Sequence, residues 1–195
     1  MWSRRAATSR RVAALLGIAL AWGGAGVGAH PHAFVVYSIV LPLSPEGVDR
    51  VGFVFTFDPM FSAVILHTAG GPKAGSTHHE RSLRQVPFEI EIAFNGSPVA
   101  LDALTALRVS TAEGQVTYRF VVPLRDRLRP PGTIDISVDD PGMFAAFALR
   151  AAAPVEIEAS GPHRTSCHRA LTPTGAPGPV RCEYLDPGQI ADMGL

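Results

Sequence analysis

Cysteine is nearly absent from this chain. Two occur in 195 residues, Cys167 and Cys182, both in the C-terminal part. In an oxidising compartment an even, isolated pair reads as a disulfide. The competing reading is a thiolate metal site with the adjacent His168 and nearby His163. Other absences narrow the function. There is no Gly-x-Ser-x-Gly elbow, no glycine-rich phosphate loop and no His-Glu-x-x-His, so hydrolysis has little support and no enzyme activity is expected. No clustered basic face is evident, which argues against a nucleic-acid partner. No apolar run reaches the ~20 residues of a membrane span, so contact with a membrane is expected only through a partner.

The N-terminal residues are arranged like an export signal. Arg4, Arg5, Arg10 and Arg11 precede the apolar run "VAALLGIALAW", and "GGAGVGA" follows. A basic start, a short apolar stretch and small residues at its end make a bacterial secretory signal. Val27 and Ala29 occupy the −3 and −1 places for cleavage before His30, which predicts a periplasmic protein. Removing four arginines and no acid from 17 basic and 17 acidic groups leaves 13 against 17, a net charge near −4.

Beyond His32 the chain reads as strands. "AFVVYSIVLPL" is β-branched and aromatic, and "SPEG" after it is a turn. "RVGFVFTFD" places Val51, Phe53, Phe55 and Phe57 at a period of two. "PFEIEIAF" alternates Phe88, Ile90 and Ile92 with Glu89 and Glu91, and Asn95-Gly96 is a hairpin signal. "QVTYRFVVPL", "GTIDISVDD" and "APVEIEAS" are further strands. The fold expected is mainly β, a single antiparallel β-sandwich-like domain over residues 30–160 with two or three short helices. Residues 161–195 form a disulfide-stapled C-terminal extension, its loop "RALTPTGAPGPVR" having little that is apolar to bury.

Three Asp-Pro pairs mark the expected helix starts. In "VFTFDPMFSAVILH", Asp58 is an N-cap and Pro59 the first helical residue. "ISVDDPGMFAAFAL" repeats the scheme with Asp140 and Pro141, and "DPMFSAV" aligns with "DPGMFAAF" once Gly142 is allowed for. Asp186-Pro187 is the third. Capping accounts for the aspartates without further function. The glycine-rich stretch from His67 to Gln85 reads as a loop ending in a turn or two of helix, with Thr77 as cap and Glu80 three residues on.

The histidines carry the chemistry. Cleavage before His30 frees an α-amino group that, with ring Nδ1, chelates a metal. A second imidazole completes a T-shaped histidine brace, and an all-nitrogen site suits copper, then nickel or zinc. His32 is two residues away, on the same side of an extended strand. Pro31 has no amide N–H to surrender, which rules out the square-planar site built on deprotonated backbone amides. His67, His78 and His79 are further candidate ligands, and Asp58 and Asp140 a second tier. The alternative to metal binding at His30-Pro31-His32 is a polar start to an edge strand, or simply a junction that suits signal peptidase.

With these residues in view, "AHPHAFVVYS", "FTFDPMFSAVIL" and "ISVDDPGMFAAFAL" together resemble the bacterial family called domain of unknown function 1007, over roughly residues 28–160. The resemblance implies a periplasmic component of an uncharacterised ABC-type transport system. Members are often encoded beside nickel/cobalt permeases. It therefore implies a divalent transition metal (nickel, cobalt, copper or zinc) as cofactor and an inner-membrane permease as partner. Many members carry an acidic Asp-x-Asp-x-Asp-Gly loop that resembles a calcium site. This chain has "GGPKAGSTHHE" there instead, and Phe55 stands in place of the usual tryptophan. The function expected is metal binding through His30 and His32 within a transport system. The alternative is a β-sandwich that docks on an envelope partner without metal.

Overall fold

The period of two in Val51, Phe53, Phe55 and Phe57 directs all four side chains into one core, where each is fully buried. They lie on β2 (Val48–Phe57), the middle of the first sheet. The computed structural model describes residues 32–71, 76–160, 164–171 and 177–185. On one side β2 pairs antiparallel with β1 (Ala33–Leu43), and on the other with β6 (Gln115–Leu128). Beyond β6 lies β5 (Thr105–Ala112). The free edge of β1 takes two short strands in succession, both parallel to it. β8 (Ala145–Leu149) pairs with residues 33–37, and β9 (Val155–Ala159) with residues 39–43.

The second sheet is antiparallel throughout, in the order β10 (Arg164–Leu171), β11 (Pro177–Leu185), β7 (Gly132–Asp139), β3 (Glu89–Phe94) and β4 (Ser97–Pro98). Its inward residues Ile92, Ile134, Ile136, Val138, Val180 and Tyr184 join the aromatics of the first sheet in one core. Phe55 is the hub, with ring centroids 5.0 Å from Phe120, 5.3 Å from Phe88 and 5.4 Å from Phe147. Edge-to-face and tilted pairs of this kind add to the area they bury. The chain is thus mainly β, with two largely antiparallel sheets in a sandwich-like arrangement and two helices. None of the described helices is long and apolar enough to cross a membrane.

Helices α1 (Pro59–Ala69) and α2 (Ser76–Leu83) cover part of the core beside β6. Phe61 of α1 packs on Phe57 at 5.8 Å, and His79 of α2 on Tyr118 at 5.7 Å. Asp58 caps α1 as its sequence predicts, with Pro59 first in the helix and Gly70 closing it in a left-handed conformation. α2 starts at Ser76, so Thr77 stands inside the helix rather than capping it.

The helix expected after Asp140 does not form. Residues 141–144 are a turn, and the alanine-rich run that follows is strand β8. Local propensity favours helix for Ala and Leu, yet pairing with β1 overrides it. Met143, at φ 57, turns the chain into the sheet. β5 is a strand that the sequence reading did not anticipate. In the C-terminal segment, residues 164–171 and 177–185 form the two strands of a β-hairpin. Cys167 and Cys182 form a disulfide between directly opposed residues of the β10–β11 hairpin. Because β11 pairs with β7 and buries Cys182, the hairpin is continuous with the second sheet. Asp186-Pro187 lies outside the described residues.

Candidate functional site

Three sequence blocks that lie far apart in the chain meet at one end of the first sheet. β1 brings residue 32, β2 runs out into Asp58 and α1, and β8 is entered through Asp140 to Phe144. The His32 backbone N–H donates to the Phe144 carbonyl at 2.7 Å, and the Asp58 N–H to the Phe34 carbonyl at 2.9 Å. His32 therefore sits between the two Asp-Pro junctions. Phe144 ties them together, its ring 5.5 Å from the His32 imidazole and 5.8 Å, edge to face, from Phe61.

The aspartates hold this end in shape. Asp58 Oδ1 accepts from the Phe61 N–H at 2.9 Å, the N-cap bond, while Oδ2 accepts from the Phe34 N–H at 2.8 Å. One carboxylate thus caps a helix and pins it to β1. Asp140 is buried, and its two oxygens accept from Gly142 and Ala145, each at 2.7 Å. Both carboxylates spend both oxygens on backbone N–H groups that would otherwise go unpaired. Ser62 completes the block. Fully buried, its hydroxyl donates to the Phe57 carbonyl and accepts from the Val116 N–H, locking α1 to β2 and β6.

The histidines divide. His32 is exposed, and among the described residues its ring nitrogens make no hydrogen bond or ion pair. His67, in the last turn of α1, and His78, in α2, are exposed as well. His79 is wholly buried. Its Nδ1 lies 3.0 Å from the Tyr118 hydroxyl, and Nε2 has no partner at hydrogen-bonding geometry. Burial lowers the His79 pKa below 6.5. The backbone of Gly71 acts the other way, and the neighbouring His78 adds to the lowering. Burial also raises the Tyr118 phenol above its ordinary value of 10. The neighbours His78 and His79 therefore face different surroundings and do not form a chelating pair. Among the described residues no three His, Cys, Asp or Glu side chains gather as a metal-ligand cluster. Ala29, His30 and His163 lie outside the described residues. Cys167 and Cys182 are bonded to each other and offer no thiolate.

The sequence reading did not single out the apolar rim around His32. Phe34 (55 % exposed), Met60 (68 %) and Met143 (58 %) all stand at this end, beside or within the two junctions. The alignment of "DPMF" with "DPGMF" holds the signal, because it places a methionine before the aromatic in both. A separate concavity of about 440 Å³ on the second sheet is lined by Ile90, Ile92, Val99, Leu101, Glu91 and Asp135. Among the described residues no histidine lines it.

No curated protein matches the chain. A family model described as "Protein of unknown function (DUF1007)" matches it over residues 14–180, a stretch that includes all three converging blocks. The chain belongs to the DUF1007 family.

Proposed function

We propose that this is a periplasmic accessory protein of a divalent transition-metal transport system, with His32 as the centre of its metal site and His30 as the second imidazole. The observation that carries this reading is the position of His32. The two aspartates around it are committed to backbone N–H groups, while its imidazole is exposed and uncommitted at the point where β1, α1 and the turn before β8 converge. An imidazole presented from a strand that both neighbours hold in place is a preorganised donor, and its affinity follows the nitrogen preference of copper, nickel and zinc. Asp58 and Asp140 act as positioning groups, because their oxygens already serve the backbone. The partner on this reading is an inner-membrane permease.

Native mass spectrometry of the purified protein, titrated with nickel, copper, cobalt and zinc, tests it. One ion per chain, lost in His32→Ala, is the expected result. Weak uptake of several ions, unchanged in that variant, overturns it. A second reading, an interaction module that uses no metal, draws on the exposed Phe34, Met60 and Met143 at the same end. On that reading His32→Ala leaves partner capture intact and Phe34→Ser abolishes it.

A further inference from the structure

Exposed methionine is unusual, because the side chain is apolar and is more often found inside. Four methionines occur in the sequence, and the two within the described residues, Met60 and Met143, are both exposed at the His32 end. Their positions correspond. Each follows an Asp-Pro, and each precedes an aromatic that turns inward, Phe61 towards Phe57 and Phe144 towards Phe61. The two phenylalanines meet edge to face, while the two methionines are left to solvent.

Backbone bonds bring His32 to the same end of the first sheet as both methionines. β1 pairs with β2 as Val35 with Phe57, and Phe34 bonds to Asp58 through both its N–H and its carbonyl. Met60 is two residues past that bond, as His32 is two residues before it. On the other edge Ala33 pairs with Ala145 and His32 bonds to Phe144, whose predecessor is Met143. One exposed imidazole and two exposed thioethers thus share this end of the sheet, joined through Phe144, whose ring meets both His32 and Phe61.

The geometry points to a copper(I) site made of His32, Met60 and Met143. A thioether is a soft, uncharged donor that favours copper(I) over nickel(II), cobalt(II) or zinc(II), whereas imidazole serves them all. A His-Met-Met set supplies three neutral donors, a number and softness suited to a monovalent soft ion. This inference rests on the reading of His32 as a metal donor alone; it takes copper(I) in place of a divalent ion and the two thioethers in place of a second imidazole.

Competition of the purified protein against a copper(I)-specific chelator, under anaerobic reducing conditions, tests it, with zinc(II) and nickel(II) titrated alongside. Met60→Leu and Met143→Leu keep shape and apolar character at exposed positions, so the fold is preserved. Each is expected to weaken copper(I) binding by about tenfold or more, since even outer-sphere partners of a metal cost that much. Zinc and nickel binding should not move. Sulfur neighbours in the X-ray absorption spectrum of the copper(I) form, lost in the double variant, are the matching signature. Unchanged copper(I) affinity in both methionine variants, with His32→Ala still weakening it, overturns the thioether site and leaves the histidine reading standing. If His32→Ala changes no metal at all, both fall.

Discussion

Asp58 is one carboxylate with two backbone tasks, and its replacement separates them. Asp58→Ala removes the cap of α1 and the tie to Phe34 together. The expected loss is about 2 kcal/mol, the upper part of the range for a cap alone. Asp58→Asn keeps one carbonyl acceptor and should recover a good part of it, read as the urea midpoint of each variant. His79 gives a pH signature. Its pKa is lower in the folded chain than the ordinary 6.5, chiefly because burial disfavours the charged ring. The unfolded chain therefore binds this proton at a pH where the folded chain still refuses it. Between the two values stability rises with pH. It is fully present above 6.5 and is lost as pH falls through that window. Unfolding measured at about pH 7.5 and about pH 5.5 should show the drop, and His79→Gln should flatten it. An equal drop in the variant would assign the effect to another group.

At the scale of elements, the strands were legible where hydrophobic period and turn chemistry agreed. Residues 33–43 and the Asn95-Gly96 hairpin needed nothing beyond alternation and a left-handed turn, and Asn95 does adopt φ 51. β8 was illegible for a physical reason: Ala-Ala-Phe-Ala-Leu prefers helix by itself and becomes strand only because β1 offers an edge. β5 was missed because its turn, Glu113-Gly114, lacks the asparagine or aspartate that usually advertises a two-residue hairpin. For the candidate site, sequence named His32, Asp58 and Asp140. It did not show that the two aspartates serve backbone N–H groups, nor that Met60, Met143 and His32 are exposed at the same end of the sheet, since both facts depend on strand order. Two expectations follow at this scale. The Phe61–Phe144 contact is what joins the two Asp-Pro junctions. A double-mutant cycle to alanine or leucine should give a coupling of about 0.5–1.5 kcal/mol, the range of aromatic pairs. Zero coupling would mean that the junctions hold their places independently. The hairpin disulfide closes a sequence separation of 15 residues. Its replacement by two serines or alanines should cost about 3 kcal/mol by loop entropy alone, measured by denaturant unfolding.

For the molecule as a whole, the proposed site lies at one end of the sandwich, while the bulk of both sheets supplies its support. If metal is bound there, acid must weaken it, because imidazole has to give up its proton to bind. Metal affinity that does not fall between neutral and acidic pH would exclude His32 as a ligand. The pairing of β1 with β8 has one more consequence, and it concerns time. Ala33 and Ala145 are neighbours in space but 112 residues apart in the chain. Closing so long a separation comes late in the assembly of such a fold. Until the chain has delivered residues 140–145, His32 has no Phe144 to rest on and Met143 is elsewhere. If His32 is a metal donor, a half-made chain has that donor and none of the surrounding geometry, so loading has to wait for the fold to be nearly finished.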